Sequence, residues 1–235
     1  MCGRYTLTEL EKFTDPRRHR LTIVPFGFTP RYNIAPTQDS LVILDADPTT
    51  ITTARWGLIP AWAADPGIGY RMINARAETV AEKPAFKRLF KRRRCLVLAD
   101  GFYEWKRFGA HKVPYRITLT SGAPFAFAGL WDTWEDRDAR RTLTTFTIIT
   151  TTANRVVKPI HDRMPVILKE ADEEPWLRPG LTDSKARAFL KPHPADGMEA
   201  AEASPLVNSA RNTGPDVLRP IGRLTFSRRS ASNDQ

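Results

Sequence analysis

The sequence predicts an α+β fold, a single compact domain with a largely antiparallel, barrel-like β core and peripheral helices. Three observations lead there. Six runs of strand character stand against three of helical spacing, and Pro, Gly, Asp and Asn punctuate them. The chain has 235 residues, 41% of them hydrophobic, which suits one large core and is short for two. No repeat or low-complexity block divides it before the tail.

Along the chain, Glu9–Phe13 is the first helix-like stretch and Ser40–Asp45 the first apolar strand. Glu82–Phe90 is the clearest helix, because Phe86, Leu89 and Phe90 fall at i, i+3, i+4 and give it one apolar stripe. Around that stripe lie Lys87, Arg88, Lys91, Arg92, Arg93 and Arg94, which read either as a solvated face or as a ridge facing phosphates. Strands follow at Cys95–Ala99, Tyr115–Leu119, Phe125–Leu130, Leu143–Thr150 and Met164–Leu168, then a helix at Ser184–Leu190. Lys191–Ala203 is rich in Ala, Pro, Asp and Glu and reads as a loop or short exposed element. The domain is expected over residues 2–222, with a disordered tail over 223–235 that has no apolar periodicity.

Composition narrows the function classes. No run approaches the roughly 18 apolar residues of a membrane span, and the N-terminus lacks the basic head and apolar run of a signal peptide. The expectation is a soluble cytoplasmic protein with no membrane partner, nucleoid-associated if bacterial. Lys plus Arg number 36 against 26 Asp plus Glu, a net charge of +10 that favours a polyanion such as nucleic acid. The two cysteines, Cys2 and Cys95, belong to no CxxC or Cys/His cluster, so neither a metal site nor a cofactor is expected. Nothing in the motifs demands a dimer, and a monomer is expected.

Four constellations carry chemistry. Removal of Met1 before the small Cys2 would leave an α-amine and a thiol on one residue, with ordinary pKa values near ~8 and ~8.5. Against an aldehyde the amine forms a Schiff base and the thiolate closes on the imine carbon to a thiazolidine, with Arg4 a nearby cation to favour the thiolate. Otherwise Cys2 is a buried structural cysteine. In Ile73–Glu78 an extended backbone puts Asn74, Arg76 and Glu78 on one face, either converging on a ligand or simply solvated. Glu104 follows the strand Cys95–Ala99, between Tyr103 and Trp105, where partial desolvation would raise its pKa toward acid/base duty; an edge strand with a surface glutamate is the plainer account. His161 and Arg163 open another apolar strand, setting a proton shuttle beside an anion-binding cation, although a lone His is more often structural. His19, His111 and His193 are given no role. Trp56 is expected in the core, whereas the proline- and aromatic-bearing turns around Asn33–Pro36 and Trp62 suit stacking against unpaired bases.

Read in order, MCGRY, YNIAPT, WGLIPAW, INARAET, ADGFYEW and HDRMP resemble the SOS response-associated peptidase family, over roughly Cys2 to Leu168 with a weaker echo in Pro205–Pro220. The resemblance implies a chain that recognises abasic sites in single-stranded DNA, or at a single-to-double-strand junction, and crosslinks to them through Cys2 to shield the lesion. It implies Cys2 as nucleophile, Asn74 holding the thiazolidine, Glu104 aiding sugar-ring opening and proton transfer, and His161 as general acid/base, including in reversal. Arg4, Arg76 and Arg163 would bind flanking phosphates, and Asn33, Pro36, Trp62, Trp105 and Thr150 would join them along the DNA. Two departures stand out: Ala63 where a second aromatic is common, and Lys83-Pro84 where some members carry an arginine. Two other readings remain: a peptidase with Cys2 as nucleophile and His161 as base, and a non-catalytic single-strand-binding module. Strand cleavage through the Schiff base would be a side activity.

Overall fold

The computed structural model describes residues 2–16, 18, 21–23, 26–136 and 139–219. Twelve strands and three helices succeed one another among them: β1 (Arg4–Leu7), β2 (Arg31–Ile34), β3 (Asp39–Leu44), β4 (Asp47–Trp56), β5 (Asn74–Arg76), α1 (Pro84–Arg92), β6 (Arg94–Ala99), β7 (Gly101–Phe108), β8 (His111–Leu119), β9 (Phe125–Asp136), β10 (Arg141–Thr152), β11 (Arg163–Pro165), α2 (Glu170–Leu177), α3 (Asp183–Ala188) and β12 (Met198–Glu202).

Five strands close on themselves. The order β10-β4-β3-β6-β9 returns to β10 through the antiparallel β9–β10 pairing, so the sheet becomes a barrel and loses its edges. Only the β4–β10 contact in that ring is parallel. Two short strands extend β10 beyond the ring: β5, parallel to it, pairs Asn74 with Ile148, and β11 pairs Arg163 with Thr152. A second sheet, β12-β8-β7-β1-β2, is antiparallel throughout.

The two sheets meet over aromatic residues. Tyr5 of β1 lies edge-on to Trp56 and Phe127 at 5.1 and 5.7 Å, and Phe102 of β7 meets Phe127 at 6.2 Å. Edge-to-face pairs of this kind add to the area they bury, so β1 and β7 are fixed firmly against the barrel. This matters for function because β1 follows Cys2 and β7 carries Glu104. Gly57 has a φ of +120° and its position would set a Cβ 2.7 Å from the Gly69 carbonyl oxygen. No larger residue fits there, and the approach pins the Trp62 loop.

The expected strands all appear, but Met164–Leu168 contributes regular pairing only over Arg163–Pro165, with one further bridge from Ile167 to Phe127. Glu9–Phe13 is a single 3-10 turn over Glu11–Phe13, too short to propagate as α-helix. Lys191–Ala203 includes β12, which completes the second sheet against β8. α2 has no helical apolar stripe and contains Pro175; tertiary packing of Trp176 and Leu177 forms it. Arg94 leaves the basic face altogether. It is fully buried and donates to the carbonyls of Trp176, Phe90 and Arg178 at 2.7, 3.0 and 2.6 Å, satisfying carbonyl groups at the ends of α1 and α2. The expected tail lies outside the described residues, as does His19. No helix among the described residues is long and apolar enough to cross a membrane.

Candidate active site

Cys2 begins the site because β1, gripped between β2 and β7, holds its start inside the core; Cys2 itself is fully buried. From the barrel side, β5 presents Asn74, whose Nδ2 donates to the Cys2 carbonyl oxygen at 2.8 Å. The other end of that amide, Oδ1, is buried with no hydrogen-bond partner. A buried acceptor without a donor is costly, and here it lies on a residue already bound to Cys2.

Glu104 comes from β7, one residue past the Tyr103–Arg4 pair, and is 2% exposed. Burial raises its carboxyl above the ordinary value of 4.5, opposed in part by His161. The expected desolvated carboxyl is therefore present, and an exposed edge glutamate is not. Burial likewise raises the Cys2 thiol far above its usual range, and the Glu104 charge pushes it further the same way. This corrects the expectation that Arg4 favours a thiolate. The Arg4 guanidinium turns instead to Asn33 Oδ1, at 2.9 Å, and to the carbonyls of Val207 and Asn208, at 2.6 and 3.5 Å.

His161 follows a turn after β10 and lines a groove of about 630 Å³ with Glu104, Trp105, Arg107, Ala110, His111, Lys112 and Asn208. Its Nδ1 lies 2.9 Å from the Arg163 backbone N–H and 3.1 Å from Asp162 Oδ1. A ring with its proton on Nε2 accepts the first, so Nδ1 is fixed by the backbone. The Arg163 side chain points elsewhere, binding Glu78 with two bonds of 2.6 and 2.9 Å and the Thr150 carbonyl at 2.6 Å. Those bonds hold Glu78 below its ordinary value of 4.5.

The structure sorts the remaining expected contacts. Asn33 is 3% exposed and its amide is used up by Arg4 and by the carbonyls of Ser209 and Asn212, so it clamps the segment 205–212 and offers nothing to a ligand. Thr150 is fully buried and can act only through Arg163. Arg76 is exposed on β5, Pro36 is half-buried before Thr37, whose φ is +71°, and Trp62 stands 67% exposed. Trp105 is anchored by Nε1–H to Asn208 Oδ1 at 2.7 Å along the groove wall. Trp56 is in the core, as expected. Ala63 is buried, its carbonyl receiving the Trp134 Nε1–H at 2.8 Å.

Sequence reasoning missed Asn208, Arg107, Lys112 and His111 as groove residues. Asn208 lies inside the weak Pro205–Pro220 echo, the one signal that pointed to it. The hairpin residues are long-range neighbours of His161 and no local pattern connects them. Among the described residues no three His, Cys, Asp or Glu side chains cluster to hold a metal ion.

Comparison with known proteins adds the lineage. Residues 1–210 match the family model described as SOS response associated peptidase (SRAP). The chain is 45% identical over 222 residues to the abasic site processing protein YoqW of Bacillus subtilis, covering 93% of this chain and 99% of the relative. It is 35% identical over 226 residues to the abasic site processing protein HMCES of Xenopus tropicalis, covering 83% and 67%. A crystal structure of a protein from Bacteroides thetaiotaomicron superimposes with a TM-score of 0.84 at 28% identity, covering 93% of this chain and 99% of that one.

Proposed function

This chain belongs to the SOS response associated peptidase family, and on that premise we propose that it captures abasic sites in single-stranded DNA by a covalent bond through Cys2. The observation that carries the reading is the Asn74 amide. One end is bound to Cys2, and the other is a buried acceptor left open for a ligand N–H.

With Met1 removed, the chemistry balances as follows. The Cys2 amine adds to the C1′ aldehyde of the ring-opened deoxyribose, and loss of the former carbonyl oxygen as water gives the imine. The Cys2 sulfur then adds to the imine carbon. One C–N and one C–S bond form, and the thiol proton ends on nitrogen as the N–H that Asn74 Oδ1 accepts. Glu104 serves both stages. Burial keeps its carboxyl protonated at a pH where an ordinary glutamate is ionised, so it donates when the sugar ring opens and water departs. As carboxylate it relays the thiol proton, which burial otherwise holds in place, to the nitrogen. His161, across the same groove, moves protons at the sugar hydroxyl in the reverse direction.

Arg76 and Trp62, both exposed, supply a phosphate contact and a stacking surface for flanking nucleotides. Arg163 joins a phosphate by exchanging Glu78 for it. The partner is single-stranded DNA or a single-to-double-strand junction, and the protein acts as a monomer. Peptidase action through Cys2, with His161 as base, would leave the free α-amine of Cys2 without use. Cys2→Ser tests the reading: incubated with an abasic strand it should yield an imine trapped only on borohydride reduction. A stable adduct at normal yield from that variant would overturn it.

A further inference from the structure

The long basic run around α1 is not used by the reaction pocket. A groove of about 580 Å³ opens along this helix, lined by Pro84, Lys87, Arg88, Lys91, Arg92 and Arg93, with no carboxylate in its lining. We propose that it is a second DNA-contact surface, holding the sugar-phosphate backbone of the strand beyond the abasic nucleotide. The proposal rests on the single-strand reading above.

Three observations support it. First, the cations have different duties. Arg93 lies over the Trp131 ring at 4.5 Å and reaches Asp132 at 3.4 Å, Arg88 reaches Asp132 at 3.4 Å, and Lys91 is 3.7 Å from Asp183. Lys87 and Arg92 are exposed and make no ion pair among the described residues. Two cations are therefore available to a ligand, and three more are held in shape beside them. Second, Lys87–Lys91 and Arg88–Arg92 are like-charged i, i+4 pairs, whose repulsion the carboxylates beside Lys91 and Arg88 relieve only on one side. A polyanion removes that repulsion.

Third, the groove wall is tied structurally to the elements that carry the proposed strand contacts. Asp132, 1% exposed, accepts the Ala61 N–H at 3.0 Å and pairs with Arg88 and Arg93, so one carboxylate ties the Trp62 loop to the groove wall. From the other direction, backbone bonds step from Arg76 through Thr79 to Lys83, leading from β5 directly into α1.

The test is Lys87→Gln/Arg92→Gln in the whole chain, with binding read by fluorescence anisotropy across a salt series. Two strands carry a ring-closed abasic analogue that cannot crosslink: a short one confined to the reaction pocket and one several-fold longer. The variant should bind the short strand as the unaltered protein does and lose roughly ten-fold on the long one. Its salt slope on the long strand should flatten by about 1.4, at ~0.7 per lost contact. Equal affinities of variant and unaltered protein for the long strand overturn the proposal, leaving a solvated face or a surface for another partner. Equal losses on both strands also overturn it, since only the general field of the protein would then be at work. Adduct formation with an aldehyde-bearing strand is read separately, so failure of the pocket reading and failure of the groove are distinguishable.

Discussion

Replacing Asn74 by alanine separates a structural clamp from a reaction partner, because the two roles predict opposite results. The bond from Nδ2 to the Cys2 carbonyl, at 2.8 Å, contributes about 1 kcal/mol net to folding. The same substitution removes the buried Oδ1, whose lack of a partner costs about 1–3 kcal/mol. Their net is about 0–2 kcal/mol in the variant's favour, so urea melts should show Asn74→Ala no less stable than the unaltered protein. The chemistry should suffer far more. A preorganised polar group aimed at a reacting centre supplies about 2.7–4 kcal/mol, so adduct formation on an abasic strand, followed on a denaturing gel, should slow by roughly 10²–10³-fold. Asn74→Asp, which keeps an acceptor and loses the donor, should fall between. A loss of stability above about 2 kcal/mol with an undiminished adduct rate would refute the reasoning and leave Asn74 as a clamp on the N-terminus.

Glu104→Gln should slow the adduct by roughly 10²–10⁴-fold while stabilising the fold at neutral pH. The raised carboxyl means the folded chain holds its proton more tightly than the unfolded one, so stability falls as pH rises from 4.5 through the folded value, and the variant's advantage should vanish below 4.5 in melts across pH. Glu78→Gln should destabilise by less than about 1 kcal/mol, since Glu78 is 48% exposed. Its carboxyl is depressed by Arg163, so that difference should be present above 4.5 and disappear as pH falls through the depressed value. Trp62→Ala should leave melting within about 0.5 kcal/mol and weaken strand binding about ten-fold, as one lost stacking contact of ~1–3 kcal/mol requires; unchanged affinity would remove Trp62 from the strand path.

How far the sequence disclosed this arrangement depended on the range of the interaction. Period and punctuation found β3, β6, β9 and β10 of the barrel, since alternation and turn residues act locally, but missed β4, whose Thr-rich run has no apolar alternation. The pairing of β6 with β9 and the parallel seam between β4 and β10 join segments far apart in the chain and leave no local mark. α1 was visible through Phe86, Leu89 and Phe90, yet the same run hid that Arg94 is structural, because composition does not say which cation meets buried carbonyls. Around the site, Glu104 was legible from its place after a buried strand. Asn33 and Thr150 were not, because an amide that caps a distant segment and one that meets a ligand look alike in sequence. The high pKa of Cys2 was also hidden, since it arises from burial and from Glu104 across the sheet rather than from the adjacent Arg4.

The most direct test of the covalent reading is intact mass spectrometry of the Met1-free protein after incubation with single-stranded DNA bearing one abasic site. The predicted species has the mass of protein plus DNA less one water, survives heat and denaturant, and maps by peptide analysis to Cys2. Correctly processed protein that forms no such species, or forms it at another residue, would contradict the account.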